Sequence, residues 1–153
     1  MNRRNLIEMT PEERDRFVAE SRTIILCSHG MHGYPHAVAM WFDVDDDGSV
    51  WMTTYRKSQK VQNIRRNPKV ALHAESGQTY DTLKGVLIRG DAELVDDAEV
   101  CLRVLKRIHA KMMGSMPEGI DDAMRTQAAK RVAIRVTPSR LASWDHAKLA
   151  GVY

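Results

Sequence analysis

One continuous stretch in the first half of the chain most constrains how the protein folds. Residues 50–54 (VWMTT) are β-branched, aromatic or apolar, which is typical of a buried strand. Ser58 then stands where a helix N-cap is expected, and Val61 and Ile64 follow at a spacing that predicts one buried helix face. Pro68 ends that helix, because the residue before a proline disfavours the α region. The sequence therefore predicts a strand, a turn, a short helix and a second strand.

The turn between this strand and this helix is basic. It carries Arg56, Lys57 and Lys60, together with the hydroxyl group of Ser58. The first turn of a helix has free backbone N–H groups, and the helix dipole favours an anion there. The pattern therefore predicts a small phosphate-binding site that has no glycine-rich loop. A solvated basic turn is the alternative, and the residues alone leave both interpretations open.

The composition describes a single globular domain, residues 1–153. Hydrophobic residues make up 43% of the chain and charged residues 28%, which suits one domain with its own core. The net charge of +3 suits an anionic ligand, but it is too small and too scattered to indicate nucleic acid. No segment resembles a membrane span or a signal peptide, so we expect a cytoplasmic protein that has no membrane partner. Cys27 and Cys101 lie in apolar patterns and are predicted to be buried free thiols.

The other predicted elements are mainly strands. Thr10, Pro11 and Glu13 have the pattern of a capping box, which predicts a helix that runs to about residue 20. Gly90 is a candidate β-bulge. Two more helices are predicted late in the chain, at residues 97–113 and 121–130. The remaining strands are predicted at residues 22–28, 35–44, 70–74, 85–95, 131–136 and 141–144.

The predicted strand at residues 35–44 bears on the fold class. Its two alternating sets of side chains, one containing Val38 and Met40 and the other Ala39 and Trp41, are both fairly apolar. We therefore expect both faces of this strand to be covered. Strands joined by tight turns favour an antiparallel sheet closed into a barrel. The predicted fold class is mainly β (α+β), a barrel with flanking helices.

No metal site is predicted. The turn at residues 45–48 matches the first half of a calcium loop, but position 54, where the loop needs a bidentate glutamate, is Thr54. A hairpin turn is predicted there instead. His29, His32 and His36 form the one histidine cluster, and no cysteine joins them. A path from a turn into a strand does not hold three imidazole rings at fixed spacing.

The chain has none of the catalytic motifs that can be recognised from spacing. It contains no Walker loop, no Gly-x-Gly-x-x-Gly and no Gly-x-Ser-x-Gly. No Ser-His-Asp set or carboxylate pair can be argued from the spacing, so no catalytic residue is assigned. If the protein is an enzyme, we expect a cofactor to supply the reactive chemistry.

Together, several of these features resemble the FMN-binding split barrel of pyridoxamine 5′-phosphate oxidase. In chain order they are the strand led by Pro35, the Asp-Gly hairpin, the strand at residues 51–54, Ser58-x-Lys60, the helix ending at Asn67-Pro68, the strand at residues 84–90, and Pro138 followed six residues later by Trp144. More narrowly, the chain resembles the small members that bind the deazaflavin coenzyme F420. The resemblance implies an antiparallel split β-barrel that forms a homodimer, with the cofactor at the dimer interface.

The resemblance also implies which residues bind the cofactor. Four of them would line one side of the ring, two would lie under its polar edge, five would hold the phosphate, and one would reach in from the partner subunit. In that order, they are Val38, Ala39, Met40 and Trp41; Thr53 and Thr54; Tyr55, Arg56, Lys57, Ser58 and Lys60; and Trp144. Met40 and Trp41 are equally expected in a barrel core, and Trp144 could simply cover the edge of that core.

The chain departs from the oxidase pattern at several positions. Gln59 stands in the phosphate turn where the oxidase has a basic residue, and a flavin-contacting glutamine expected near Gly85 is missing. His146 and Lys148 do not reproduce the arginine–histidine pair that binds pyridoxal phosphate. Oxidation of vitamin B6 is therefore not expected. The extra positive charge in the turn suits a cofactor with more negative charge, such as F420 with its phosphodiester and oligoglutamate tail.

The resemblance implies an F420-dependent oxidoreductase, in which the reduced deazaflavin passes a hydride to a conjugated small-molecule acceptor. An FMN-dependent oxidoreductase of the same fold is one alternative. A non-enzymatic protein that stores or carries a cofactor or a haem-like ligand is another. Tyr34 and His36 are candidate proton donors.

Overall fold

A computed structural model describes residues 3–150, with side chains from residue 4 onward. The strands are β1 (Thr23–His29), β2 (Pro35–Trp41), β3 (Asp43–Val44), β4 (Val50–Tyr55), β5 (Lys69–Ser76), β6 (Lys84–Val95) and β7 (Arg131–Asp145). The helices are α1 (Arg3–Ile7), α2 (Pro11–Glu20), α3 (Gln59–Arg66), α4 (Ala98–Met113) and α5 (Ile120–Ala128). All seven strands form one antiparallel sheet in the order β2-β1-β5-β6-β7-β4-β3. The sheet curls into a half-barrel, which confirms the predicted split β-barrel with flanking helices.

The two ends of the sheet are joined through Phe42. β2 pairs with β1, and β3 pairs with β4 at the far end of the strand order. Phe42 lies between β2 and β3 and is completely buried, so the chain bends where its ring enters the core. The prediction of a single strand at residues 35–44 is therefore wrong, because that segment serves both ends of a curled sheet.

The outward face of β2 is not covered within this chain. Ala37, Ala39 and Trp41 are exposed, whereas Val38 and Met40 pack against the barrel core. The expectation that both faces of this strand are covered is thus wrong for one chain on its own. Trp41 is 49% exposed, which is unusual for a side chain of its size.

The last strand is longer than predicted. The two short strands predicted at residues 131–136 and 141–144 are parts of one strand, β7, of 15 residues. Pro138 does not break it, because the proline lies at a bulge: Arg89 pairs with Arg140 and Gly90 pairs with Pro138, so Ser139 has no partner. This confirms Gly90 as a bulge position. A Cβ atom at Gly90 would lie 2.4 Å from the Thr137 carbonyl oxygen, so the approach requires glycine.

Two apolar clusters hold the fold together. The larger fills the barrel with residues from every layer, including Leu26, Phe42, Met52 and Leu72. The smaller lies between α4, α5 and the outer side of the sheet, and α4 contributes Cys101, Leu102, Val104, Ile108 and Met112 to it. Close packing of α4 and α5 onto β4 and β7 therefore encloses a second compartment outside the barrel.

Two predictions of local structure are confirmed, the capping box and the hairpin turn. Thr10 and Glu13 form a reciprocal capping box at α2, and the Asp-Gly turn is a hairpin in which the Gly48 N–H donates to the Asp45 carbonyl. Within the described residues, no group of three or more potential ligands could hold a metal ion. Cys101 is buried and Cys27 is half-buried, and both are free thiols. No helix of the described chain is long and apolar enough to cross a membrane.

Candidate cofactor and ligand site

The strand–turn–helix unit forms as the sequence predicts. Ser58 has the extended backbone of an N-cap, and Val61 and Ile64 are buried beneath α3. However, no side chain caps the first turn of α3, and the Ser58 hydroxyl instead accepts a hydrogen bond from Thr54 Oγ1 at 3.3 Å. The backbone N–H groups of Gln59 and Lys60 therefore remain available to a ligand, whereas the Val61 N–H donates to the Ser58 carbonyl at 3.1 Å.

Lys60 lies over this helix start without a counter-ion. Its Nζ donates to Thr54 Oγ1 at 3.0 Å, and no carboxylate within residues 4–150 forms an ion pair with it. Burial lowers the pKa of the Lys60 amine, and the positive charge of Arg131 lowers it further. A half-buried lysine beside a second cation is a favourable site for an anion.

Arg131 is a site residue that the sequence analysis missed. It begins β7, and its guanidinium donates to the carbonyl and to Oγ1 of Thr53, both at 3.3 Å. The group lies 4.6 Å from the Tyr55 ring centroid, and its Nε is buried without a partner. No carboxylate in the described part of the chain pairs with it. The pairing of Tyr55 with Arg131 across β4 and β7 brings it here, and only the sheet order reveals that pairing.

Two consecutive threonines separate the two cations. Thr53 and Thr54 are 7% and 5% exposed, and as neighbours in a strand they point to opposite faces of the sheet. Thr54 and Lys60 lie on the barrel side, whereas Thr53 and Arg131 lie on the side covered by α4 and α5. The end of β4 is therefore flanked by one unpaired positive charge on each side.

Arg56 is engaged elsewhere in the protein. Its NH2 and Nε groups donate to Asp96 at 2.6 and 3.0 Å, and further bonds go to the carbonyls of Ala129 and Arg131 at 3.2 Å. The ion pair with Asp96 raises the pKa of Arg56. The guanidinium thus ties the turn to the start of β7. Lys57, by contrast, is exposed and makes no ion pair with the residues that the structure describes.

A cavity of about 560 Å³ lies between the sheet and the α4–α5 helical pair. It includes four of the predicted cofactor-binding residues: Ala39, Met40, Trp41 and Thr53. Its remaining walls come from α4, α5 and the start of β7, and they consist of Leu105, Ile108, His109, Ile120, Ala123, Met124, Gln127 and Arg131. The structure therefore brings the predicted ring-binding strand and Thr53 together with α4 and α5, two predicted helices that had not been assigned to the site.

Other predicted site residues lie elsewhere. Val38 packs against the barrel core rather than in the cavity. Trp144, at the opposite end of β7, is half-buried beside Gly85, with its ring centroid 5.5 Å from that of His73. Neither Tyr34, which is 76% exposed, nor His36 lines the cavity. Within one chain, therefore, Trp144 and both candidate proton donors are separate from the cation cluster.

Comparison with known proteins identifies the family. The model of the pyridoxamine 5′-phosphate oxidase family matches residues 10–145. A search of curated proteins found no match. The fold closely matches the crystal structure of a conserved hypothetical protein from Mycobacterium tuberculosis, with 39% identity, 96% of this chain and 91% of that chain covered, and a TM-score of 0.87. The chain therefore belongs to the pyridoxamine 5′-phosphate oxidase family, and its architecture is the family's split barrel.

Two further solved structures share the fold. An F420 reductase shares 26% identity, with 87% of this chain and 98% of that chain covered and a TM-score of 0.68. A FAD-binding protein from Mesorhizobium loti shares 16% identity, with 88% and 94% of the chains covered and a TM-score of 0.66, which shows the shared fold alone. The family binds flavins or deazaflavins. The unpaired cation Lys60 fits the negative charge that such cofactors carry.

Proposed function

We propose that the protein is an oxidoreductase that uses reduced F420 to transfer a hydride to a conjugated small-molecule acceptor. The observation that carries this proposal is Lys60, which is half-buried over an uncapped helix start and has no counter-ion. A site built in this way favours a phosphate group. The likeness to an F420 reductase at 26% identity supports a deazaflavin as the cofactor.

Different residues of the chain would bind different parts of the cofactor. Lys60, Ser58 and Lys57, with the free N–H groups at the start of α3, would hold the phosphate, and Tyr55 and Arg56 would shape the turn. Thr54 positions Lys60 because its Oγ1 accepts a hydrogen bond from the Lys60 Nζ at 3.0 Å. The ring would lie against Val38, Ala39, Met40 and Trp41, with Thr53 at its polar edge.

When bound, the deazaflavin supplies the hydride. The chain itself would bind and orient the cofactor and the acceptor and exclude water, with the apolar side chains of the cavity closing the site. No side chain is required to form a covalent bond in this scheme. This agrees with the lack of any nucleophile–base pair that can be argued from the sequence.

We further propose that the working form is a homodimer. The exposed outer face of β2, with Ala37, Ala39 and Trp41, is apolar enough to pack against a second copy. In such a dimer Trp144 of one subunit would approach the cofactor of the other. Size-exclusion chromatography with light scattering should give twice the chain mass, and Trp41→Glu should shift the protein toward the monomer. A wild-type monomer at micromolar concentration would contradict this proposal. The cytoplasmic location stays a prediction from composition.

The cofactor assignment is tested by parallel fluorescence titrations of the purified protein with F420 and with FMN. We expect F420 to bind at micromolar concentration or below and FMN to bind more weakly. Lys60→Ala should raise the F420 dissociation constant at least about tenfold, since a charge-assisted hydrogen bond contributes roughly 1.5–3 kcal/mol. Lys69→Ala is the matched control, because Lys69 is exposed and pairs with Asp91 on another part of the sheet.

The outcomes of these titrations separate the candidate functions. Preference for FMN would favour the FMN-dependent alternative, and an unchanged constant in Lys60→Ala would contradict the phosphate assignment. Tight F420 binding without turnover across a broad panel of conjugated acceptors would favour a protein that stores or carries the cofactor. Hydride transfer to any member of that panel would support the reductase, and it would be measured as the return of F420 fluorescence when the reduced cofactor is oxidised.

A further inference from the structure

The cavity beneath the helical pair has the character of a small-molecule site in its own right. Its volume of about 560 Å³ lies within the range of roughly 300–1,000 Å³ that is common for ligand pockets. Most of its wall is apolar, including Leu105 and Ile108 from α4 and Ile120 and Met124 from α5. Such a wall favours a flat, largely apolar ligand.

The only permanent charge in the lining of this cavity is positive. Arg131 is the only residue among those lining it that carries a permanent charge, and His109 is the only other titratable one. No aspartate or glutamate lines the cavity. The polar groups beside Arg131 are Thr53 and Gln127, which are neutral. A neutral apolar ligand would leave the arginine unpaired, whereas an anionic ligand would neutralise it.

Arg131 also has unused hydrogen-bonding capacity. Its bonds to Thr53 are at 3.3 Å, near the long end of the usual range, and its Nε has no partner. No acceptor in the described chain receives a hydrogen bond from its NH2. A guanidinium fork with free donors suits the two oxygen atoms of a carboxylate.

This position is distinct from the proposed phosphate site. Lys60 and Ser58 reach the end of β4 through Thr54, whereas Arg131 reaches it through Thr53 on the opposite face. The two sites can therefore hold two different negative groups at the same time. The second group would lie on the helix side, with the apolar wall directly beside it.

We propose that the α4–α5 cavity binds a small carboxylate with a flat, apolar body, whose carboxylate pairs with Arg131 and whose body packs between Met40 and the helices. Met40 and Thr53 line this cavity and are also assigned to the cofactor ring, so binding to the cofactor-free protein is the part that does not depend on the proposed function. Only the further step, that this ligand is the hydride acceptor and lies beside the cofactor ring, rests on it. The substrate class is then a conjugated carboxylic acid.

The test uses two probes of nearly equal shape, 2-naphthoate and 2-naphthamide, titrated by calorimetry into the cofactor-free protein. We expect naphthoate to bind at least tenfold more tightly than the amide. Arg131→Gln should abolish that preference, and Arg131→Lys should keep part of it. Ala123→Trp, which fills the cavity from the exposed side of α5, should block both probes. Arg125→Gln, on the same helix but paired with Glu99, is the control and should bind like the wild type.

Several results would overturn the proposal. They are equal binding of the two probes, binding of neither, a preference that survives in Arg131→Gln, and naphthoate binding that survives in Ala123→Trp. Circular dichroism of each variant checks that it is folded. If Arg131→Gln is unfolded, Arg131→Lys and Ala123→Trp still decide the result.

A parallel series separates this proposal from the proposed function. Lys60→Ala should weaken F420 binding and leave the naphthoate preference in place. Saturating F420 should still allow naphthoate to bind, whereas competition between them would assign the cavity to the cofactor and overturn the acceptor step. If the wild type does not bind F420 but still prefers naphthoate, the proposed function is contradicted and the proposed carboxylate site is not.

Discussion

Lys60 and Arg131 approach the end of one strand from its two faces, and each donates a hydrogen bond to one of two consecutive threonines. The Lys60 Nζ lies 3.0 Å from Thr54 Oγ1, and an Arg131 NH1 lies 3.3 Å from Thr53 Oγ1. Neither cation has a carboxylate partner in the described chain. The protein therefore carries two adjacent positive charges that an anionic ligand would stabilise.

Lys60→Met should make the ligand-free protein more stable while it weakens cofactor binding. Burial and Arg131 lower the pKa of Lys60, so the charged lysine costs folding free energy at neutral pH. That cost is present below the lowered pKa and disappears as pH rises toward the ordinary value of 10.5. We expect a melting temperature higher by roughly 2–4 °C at pH 7, with the difference shrinking in alkaline buffer. A lower melting temperature at pH 7 would show that the bond to Thr54 outweighs the burial of the charge.

Arg56→Gln should reduce stability more than it reduces cofactor affinity. The Arg56 guanidinium is already bound by Asp96 and by two carbonyl oxygens, so little of it remains for a phosphate. We expect the F420 dissociation constant to rise less than about threefold, against at least about tenfold for Lys60→Ala. Asp96→Asn is the matched control and should lower the melting temperature in the same way. If Arg56→Gln lowers the F420 affinity tenfold and Asp96→Asn does not, Arg56 binds the phosphate directly.

Asp47→Asn should lower stability at neutral pH but not in strong acid. Hydrogen bonds from the Ser49 hydroxyl and backbone N–H, followed by Arg135, lower the pKa of Asp47 from 3.8 to about 2. The ionised carboxylate therefore contributes stability above pH 3.8, and this contribution is lost as pH falls toward 2. The difference in melting temperature between the wild type and Asp47→Asn should be constant from pH 7 down to about pH 4. It should then shrink as the pH falls to 2.5.

Asp46→Asn is the control for this experiment, because Asp46 lies in the same turn and makes no side-chain hydrogen bond with the described residues. It should follow the wild type at every pH. A gap between wild type and Asp47→Asn that widens on acidification would mean that the carboxylate is not stabilised in its ionised form.

Gly85→Ala should displace Trp144. A Cβ atom at Gly85 would lie 2.2 Å from Cζ2 of the Trp144 ring, so the indole must move away from its place over β6. We expect a loss of about 1–3 kcal/mol in the free energy of unfolding, as is usual for overpacking. A change in tryptophan fluorescence and near-UV circular dichroism should accompany it. In Trp144→Ala the same glycine substitution should cost much less, because the two positions are coupled.

The local units of the fold could be predicted because their causes are local. The capping box at Thr10, the Asp-Gly hairpin and the helix start after Ser58 each depend on residues three or four positions apart. The alternating burial along β5 and β6 likewise follows from side chains that point to opposite faces. Six or seven strands in an antiparallel barrel could be counted from these units alone.

The rest depended on contacts between distant residues. The apolar alternation through Phe42 is continuous in sequence, and only closure of the sheet shows that the strand bends there. The strands predicted at residues 131–136 and 141–144 are one strand, because Pro138 lies opposite Gly90 at a bulge that only the pairing of β6 with β7 reveals. Arg131 could not be recognised as a site residue, because the threonine it binds is 78 positions away. The α4–α5 cavity could not be predicted from the sequence for the same reason, because its walls come from distant segments of the chain.

The continuity of β2 and β3 through Phe42 means that the two ends of the sheet are held together by a single buried ring. Because the connection is one residue long, closing the barrel here costs almost no loop entropy. The Phe42 ring is packed in the barrel core at the one residue that joins the two terminal strands. A small side chain at position 42 would leave a cavity where β2 passes into β3 and would weaken the packing of both terminal strands.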